Sequence, residues 1–220
     1  MGADDDSERL YLMMLKELKN LSVSEWIKNL VLYFIGISIM PAGVVLTINA
    51  HIGAGGYDAL NFALADKLHI NPSIAIYGTS FIVLIVTALI RRSRVRPETF
   101  ISSFFIGLFT DLWKNILIHV QGTQILTSVG MTLAGIVVIC FAVACYIISI
   151  FPTNPTDDFV VALHERGLRL ATAKLSLDTT CVILAYLLGG EIGVGTILCT
   201  FGVGPGVDLF HRLISKACMR

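Results

Sequence analysis

The chain has 220 residues, of which 55% are hydrophobic and 15% charged, and its mean hydropathy is +0.78. This composition is too apolar for a soluble globular domain, so we expect an integral membrane protein. The 16 basic and 16 acidic residues balance to a net charge of zero. No basic face is interleaved with aromatic residues, which argues against a nucleic-acid partner.

The chain begins with a segment, residues 1–28, that mixes Leu and Met with Glu and Lys at roughly helical spacing. It is too polar to cross a bilayer and is suited to lying in the membrane interface. We therefore predict a cytoplasmic amphipathic segment, with Trp26 and Lys28 marking the entry into the membrane.

Six apolar runs follow, each near the roughly 20 residues that cross about 30 Å of hydrocarbon. They cover residues 29–50, 73–90, 99–119, 128–150, 172–188 and 194–212. Two segments of 11 residues, 58–68 and 157–167, lie between the first and second runs and between the fourth and fifth. Because they are too short to cross, we expect re-entrant or interfacial helices. The predicted fold class is an all-α membrane protein with six transmembrane helices.

The distribution of basic residues predicts the orientation. Fourteen of the 16 lie before the first span, after the sixth, in the Arg91–Arg96 loop or in the fourth-to-fifth connection. With six spans these regions share one side, and only Lys67 and Lys114 fall on the other. The positive-inside rule therefore predicts a multi-pass protein of the plasma or inner cell membrane with both termini in the cytoplasm.

The two halves of the membrane region resemble each other. Residues recur 99 positions apart at Gly36 and Gly135, Asp58 and Asp157, and Ala63-Leu64 and Ala162-Leu163. After a two-residue contraction the spacing is 97, and it pairs Thr99, Phe104, Gly107 and Asp111 with Thr196, Phe201, Gly204 and Asp208. We infer two membrane repeats, 29–119 and 128–214, each reading span, short helix, span, span. Three spans is an odd number, so the repeats are expected to be inverted.

Two carboxylates lie inside predicted spans at equivalent repeat positions. Asp111 is 13 residues beyond Glu98, about 20 Å along a helix. Asp208 is at a mirrored depth in the sixth span. An ionised carboxylate is costly in hydrocarbon, so both are candidates for binding a cation, a proton or a polar substrate. The alternative is a structural role, accepting hydrogen bonds from the backbone of the other repeat.

Asp58 and Asp157 open the two short helices. Either they cap the helix starts, or they gate the two mouths of one pathway, with Asp58 outside and Asp157 on the cytoplasmic side. Asn61, one turn after Asp58, is a candidate neutral ligand, although its repeat equivalent is Val160.

Further residues have a predicted local role. The stretch Gly204-Pro205-Gly206 is expected to kink or unwind the sixth span, with close helix packing as the alternative reason for its glycines. Lys174 and Asp178, four residues apart, are expected to neutralise each other on one helix face.

Signatures of enzymes, metal sites and disulfides are missing from the sequence. The five cysteines include no CxxC pair, and the histidines have no metal-binding spacing. There is no GxSxG motif and no P-loop. We therefore expect no catalytic activity, no metal and no cofactor.

Several of these stretches resemble a known family. They are Pro41-Ala42-Gly43, the run from Gly53 to Asn61, and the run from Thr99 through Gly107 to Asp111. Over about residues 29–214 they resemble the YczE/YyaS/YitT group of bacterial integral membrane proteins. That group usually has Pro and Trp before the Asp, where this chain has Gly56 and Tyr57. The resemblance implies a polytopic membrane protein and says little about activity.

Together these features predict a small secondary transporter or permease-like protein for a small solute or ion. The alternative is a non-transporting scaffold or regulatory partner that uses the Arg91–Arg96 loop and the N-terminal segment as contacts. The expected partners are the lipid bilayer, a small solute or cation, and a second copy in a homodimer.

Overall fold

The structure is a computed structural model that describes residues 22–92, 97–149 and 151–218. These residues form eight α-helices and contain no strand. In chain order the helices are α1 Val23–Asn49, α2 Gly56–Leu68, α3 Pro72–Arg91, α4 Glu98–Ile116, α5 Ile125–Ile148, α6 Pro155–Glu165, α7 Leu170–Leu188 and α8 Val194–Cys218. Most of the predicted N-terminal segment, and Arg94 and Arg96 of the predicted basic loop, lie outside the described residues.

Each predicted span and each predicted short helix corresponds to one helix of the structure. Four of the helices are long and apolar enough to cross a membrane: α1, α3, α5 and residues 194–216 of α8. The other two long helices, α4 and α7, have 19 residues each but include charged side chains such as Asp111, Lys174 and Asp178. Length and composition therefore support four spans directly.

Local sequence explains where several helices begin and end. At the start of α1, Ser22 Oγ accepts a hydrogen bond from the Glu25 backbone N–H, and Glu25 Oε2 accepts one from the Ser22 N–H at 2.9 Å. Pro72 occupies the first turn of α3, where a missing N–H costs nothing. Gly189 ends α7 with a φ of +88°, a conformation that glycine adopts without strain.

The centre of the bundle is the crossing of α1 and α5. A Cβ atom on either Gly43 or Gly135 would lie 2.7 Å from the other glycine's carbonyl oxygen, and one on Gly36 would lie 2.6 Å from the Ala142 carbonyl oxygen. Only glycine permits so close an approach of two helix backbones.

Two other long helices pack directly on this central pair. Helix α4 packs against α1, and α8 packs against α5. The short helices lie between other elements: α2 packs on α3 and α7, and α6 packs on the same two helices. Leu60 of α2, Val160 of α6 and Leu177 of α7 belong to one buried apolar cluster. Both short helices are therefore held against α7.

Helix α8 contains the stretch that was predicted to kink or unwind. It continues as one helix from Val194 to Cys218 through Gly204, Pro205 and Gly206, so the backbone is not unwound there. A proline removes one helical N–H donor, and neighbouring hydrogen bonds are enough to continue the helix. Gly206 instead provides close packing, because a Cβ at this position would overlap the Cys140 side chain on α5.

Candidate functional site

The two short helices begin with carboxylates. Asp58 lies in the first turn of α2 and Asp157 in the first turn of α6. Neither helix has a side-chain hydrogen bond from its N-cap residue, Gly55 or Asn154. In α6 the Asp157 and Asp158 N–H groups donate to the Asn154 carbonyl oxygen. The start of each helix carries a partial positive charge, which stabilises a nearby carboxylate.

Both carboxylates lie near the same part of α7. Lys174 Nζ is 3.1 Å from Asp178 Oδ1, and Asp178 is 5% exposed. Asp157 and Asp58 also interact electrostatically with Lys174. Gly56 allows this approach, because a Cβ there would lie 2.6 Å from the Asp178 carbonyl oxygen. We call Asp58, Asp157, Lys174 and Asp178 the central charge cluster.

Tyr146 of α5 extends the central charge cluster. Its hydroxyl donates a hydrogen bond to Asp157 Oδ2 at 2.6 Å, and the tyrosine is 3% exposed. Three carboxyl groups and one ammonium group thus lie in the region where α2 and α6 pack on α7, with the Lys174 side chain 49% exposed. The cluster has a surplus of negative charge when all four groups are ionised, which suits a cation or a proton.

The hypothesis that Asp58 and Asp157 gate two opposite mouths of a pathway stays a prediction. In the structure, the two short helices that carry them pack on the same helix, α7, near Lys174. The neighbouring Asp158 is directed elsewhere, to Arg91.

Asn61 links α2 to α3. It is 1% exposed, and its Nδ2 donates to the Tyr57 carbonyl oxygen at 2.9 Å. Its Oδ1 accepts a hydrogen bond from Thr79 Oγ1 at 2.6 Å. The Tyr57 hydroxyl lies 3.0 Å from both Thr79 Oγ1 and Ser80 Oγ. The Nδ2 bond therefore lies within α2, and the Oδ1 bond to Thr79, together with the Tyr57 hydroxyl, joins α2 to α3.

Asp111 and Asp208 lie in different surroundings. Asp111 accepts hydrogen bonds from the backbone N–H and the hydroxyl of Ser73, in the first turn of α3. It therefore caps a helix of its own repeat, not one of the other repeat. Asp208 is exposed on α8. The structure thus brings Asp58 and Asp157 together and places the two span carboxylates elsewhere.

Two further polar networks join the first half of the chain to the second. Arg91, at the end of α3, binds both carboxylate oxygens of Asp158 at 2.7 Å and Glu165 Oε2 at 2.8 Å. The Arg91 side chain is 5% exposed. In the loop after α1, His51 Nδ1 lies 3.0 Å from both oxygens of Glu191.

Sequence reasoning missed part of this arrangement. Lys174 and Asp178 were expected to neutralise each other, and their ion pair is confirmed, but their contact with the starts of α2 and α6 was not foreseen. Tyr146 was missed altogether. The available signal was a lysine within an apolar run, since charged residues in such runs usually face polar partners inside the bundle.

Known proteins show where the chain belongs. Residues 27–212 match the model of a family described as a family of unknown function, DUF6198. The chain is 29% identical to the uncharacterized protein YyaS of Bacillus subtilis over 84% of this chain and 92% of that protein. It is 27% identical to the uncharacterized membrane protein YczE of the same organism over 78% of this chain and 80% of that protein.

A third relative is an uncharacterized protein of Haemophilus influenzae, 24% identical over 86% of each chain. No solved structure matches the chain. The resemblance to the YczE and YyaS proteins is thereby confirmed, and four helices long and apolar enough to span a bilayer agree with a membrane protein. The match covers nearly all of the membrane region, and on that basis the chain belongs to the DUF6198 family.

Proposed function

We propose that the protein is a small secondary transporter or permease-like protein for a small solute or cation, with the central charge cluster as its binding site. The observation that carries this proposal is the packing of α2 and α6, from opposite halves of the chain, against α7 beside Lys174, with Gly56 directly against the Asp178 backbone. Helix starts and ionisable groups inside the bundle are features of transporter substrate sites. The proposal includes no enzymatic step and no cofactor.

The proposed architecture is six spans in two inverted repeats. Helix packing supports it, because α1 with α4 corresponds to α5 with α8, and α2 with α7 corresponds to α6 with α3. The central crossing is also reciprocal. Adding 99 to Gly36 gives Gly135, and subtracting 99 from Ala142 gives Gly43, so the contact of Gly36 with Ala142 corresponds to that of Gly135 with Gly43.

The proposed orientation has both termini in the cytoplasm. It rests on the positive-inside distribution of the basic residues. Fusing a reporter that is active only in the cytoplasm to either end tests it. Activity at both ends is expected, and activity at one end alone would contradict an even number of spans.

The binding site is tested by a thermal-shift screen of detergent-purified protein. The probes are alkali and alkaline-earth cations, pH steps, small amines and small organic acids. A probe that binds the folded state at about 100 times its Kd stabilises it by about 2.7 kcal/mol. We expect at least one probe to raise the melting temperature, and this shift to disappear in Asp157→Asn and Lys174→Met.

The matched control is Asp66→Asn, which changes the same residue type at an exposed position of α2. It should keep the full probe-dependent shift. A flat response over the whole panel would contradict transport by this site and favour the non-transporting scaffold or regulatory partner, for which co-purification is the next measurement. Flux into vesicles of the stabilising probe would then separate transport from binding alone.

A further inference from the structure

The contact between α3 and α4 depends on three residues of α4. The Phe104 ring stacks on Tyr77 with centroids 5.7 Å apart and planes 16° apart. Gly107 provides space for the same tyrosine, because a Cβ at this position would overlap its ring. Asp111 caps the start of α3 at Ser73, where the N-cap residue Asn71 makes no side-chain hydrogen bond. These three residues make α4 complementary to α3.

The same three residue types recur in α8, 97 positions later, without the contacts. They are Phe201, Gly204 and Asp208. Phe201 is 67% exposed, a Cβ built on Gly204 meets no atom within 4 Å from elsewhere in the described part of the chain, and Asp208 is exposed. Helix α8 packs on α5, and almost none of its apolar stretch is buried. It therefore carries a docking surface that is unused in this state.

The repeat identifies the helix that this surface fits. The equivalent of α3 in the second half is α7, and the equivalent of Ser73 is Thr172. Thr172 is exposed in the first turn of α7, and the N-cap residue Arg169 makes no side-chain hydrogen bond to that turn. The first turn of α7 thus offers N–H donors, and Asp208 offers the acceptor.

The cost of exposing the Asp208 carboxylate favours a partner for this surface of α8. An exposed carboxylate within a membrane-crossing helix faces hydrocarbon, at a cost of a few kcal/mol. Docking on α7 removes Asp208 from lipid and completes a helix cap at the same time. The residue of α7 that would face Gly204 is small. Ser176 occupies the repeat position of Tyr77 in α3, and the space beside Gly204 is open.

We propose that the protein has a second conformation in which α8 docks on α7, with Asp208 capping the start of α7 at Thr172 and Gly204 against Ser176. The proposal rests on the transport function proposed above. In that function the two repeats exchange conformations, so docking of α8 on α7 accompanies release of α4 from α3. The present structure has the first repeat docked and the second open.

Cysteine cross-linking in native membranes tests this docking. In a background with all five native cysteines replaced, the pair Ser176→Cys/Gly204→Cys is oxidised and the remaining free thiols are counted by a gel shift with a maleimide polymer. We expect an intramolecular disulfide. The reference pair is Tyr77→Cys/Gly107→Cys, which lies at the contact already present between α3 and α4. A disulfide forms only when the two Cα atoms come within about 7 Å.

Two outcomes overturn the proposal. One is two free thiols in the α7–α8 pair while the reference pair is oxidised. The other is a dimer-sized product, which would mean that a second copy covers α8. The cross-linking experiment uses no substrate, so its result is independent of the ligand screen. If the α7–α8 disulfide forms but no probe stabilises the protein, only the proposed function is contradicted. If a probe binds but the disulfide does not form, only the second conformation is contradicted.

Two further variants probe the exchange between conformations. Asp208→Ala removes the proposed cap on α7 and should lower the α7–α8 cross-linking yield roughly fivefold, the effect of losing one helix cap. Asp111→Ala removes the existing cap on α3 and should raise the yield. If both variants change the cross-linking yield in the same direction, the proposed exchange is overturned. A general loss of folding, which would lower the yield in both variants, counts as such a result.

Discussion

At the scale of single residues, His51 shows how one side chain connects the two halves of the chain. Its Nδ1 faces the Glu191 carboxylate at 3.0 Å, and its Nε2 lies 2.8 Å from Gln121 Oε1. Both partners are acceptors, so the ring donates to both only when it is protonated. The hydrogen bond to Gln121, followed by the bond to Glu191, raises the pKa of His51 above its usual value.

The raised pKa predicts a pH dependence of stability. Protonated His51 stabilises the folded state fully below the unfolded pKa of about 6.5, and this contribution is lost as the pH rises through the higher folded pKa. Since about half of each side chain of the His51–Glu191 pair is exposed, we expect a fall in melting temperature of only about 1–2 °C. Thermal unfolding measured across this pH range checks it.

The comparison variant is His51→Asn. His51 has a φ of +54°, and asparagine tolerates that conformation better than most residues while lacking a titratable group. This variant should lose the part of the pH dependence that arises above pH 6.5. An unchanged profile would assign the dependence to other groups.

At the scale of helices, the crossing of α1 and α5 depends on glycine. A Cβ at Gly135 would lie 2.7 Å from the Gly43 carbonyl oxygen, and backbone cannot move aside as a flexible side chain does. We therefore expect Gly135→Ala to destabilise the protein by about 1–3 kcal/mol, as overpacking does. The fraction that remains monodisperse after heating, measured by size-exclusion chromatography, reports the change.

Gly130 provides the matched control on the same helix. A Cβ at Gly130 meets nothing within 4 Å, so Gly130→Ala should be neutral or slightly stabilising through its higher helix propensity. If both variants lose the same fraction of folded protein, the close approach of α1 and α5 does not explain the destabilisation by Gly135→Ala.

The helices themselves were largely predictable from sequence, whereas the position of the site was not. The length of an apolar run predicts whether a helix can cross the bilayer, because the thickness of the bilayer sets the length of a spanning helix. This length does not report depth. The convergence of Asp58 and Asp157 on Lys174 arises from the packing of both short helices against α7, which no local pattern encodes.

The behaviour of Asp111 and Asp208 shows a second limit of sequence reasoning. Their equivalence in the repeat predicted equivalent roles, and their residue types match. One caps a neighbouring helix and the other is exposed, because α4 packs on α3 whereas α8 packs on α5 away from α7. A repeat in sequence specifies which contacts two halves can form, and a single conformation need not form both sets at once.

At the scale of the whole molecule, Arg91 joins the first half of the chain to the second. From the end of α3 it reaches Asp158 and Glu165 on α6, with the guanidinium almost fully buried. Its Nη1 donates to both carboxylate oxygens of Asp158 and its Nε to Glu165, and such charge-assisted hydrogen bonds are stronger than neutral ones. The His51–Glu191 pair is a separate polar connection between the halves.

The Arg91 network should therefore stabilise the packing of α3 against α6. Arg91→Gln removes the charged donor from the largely buried Asp158 and from the more exposed Glu165, and we expect a loss of about 2 kcal/mol. Arg92→Gln is the control, because Arg92 is the next residue, has the same charge and is exposed. Thermal unfolding should distinguish the two variants by several degrees. Equal melting temperatures would mean that the ion pairs contribute no more than a solvated surface charge, and that apolar packing holds α3 against α6.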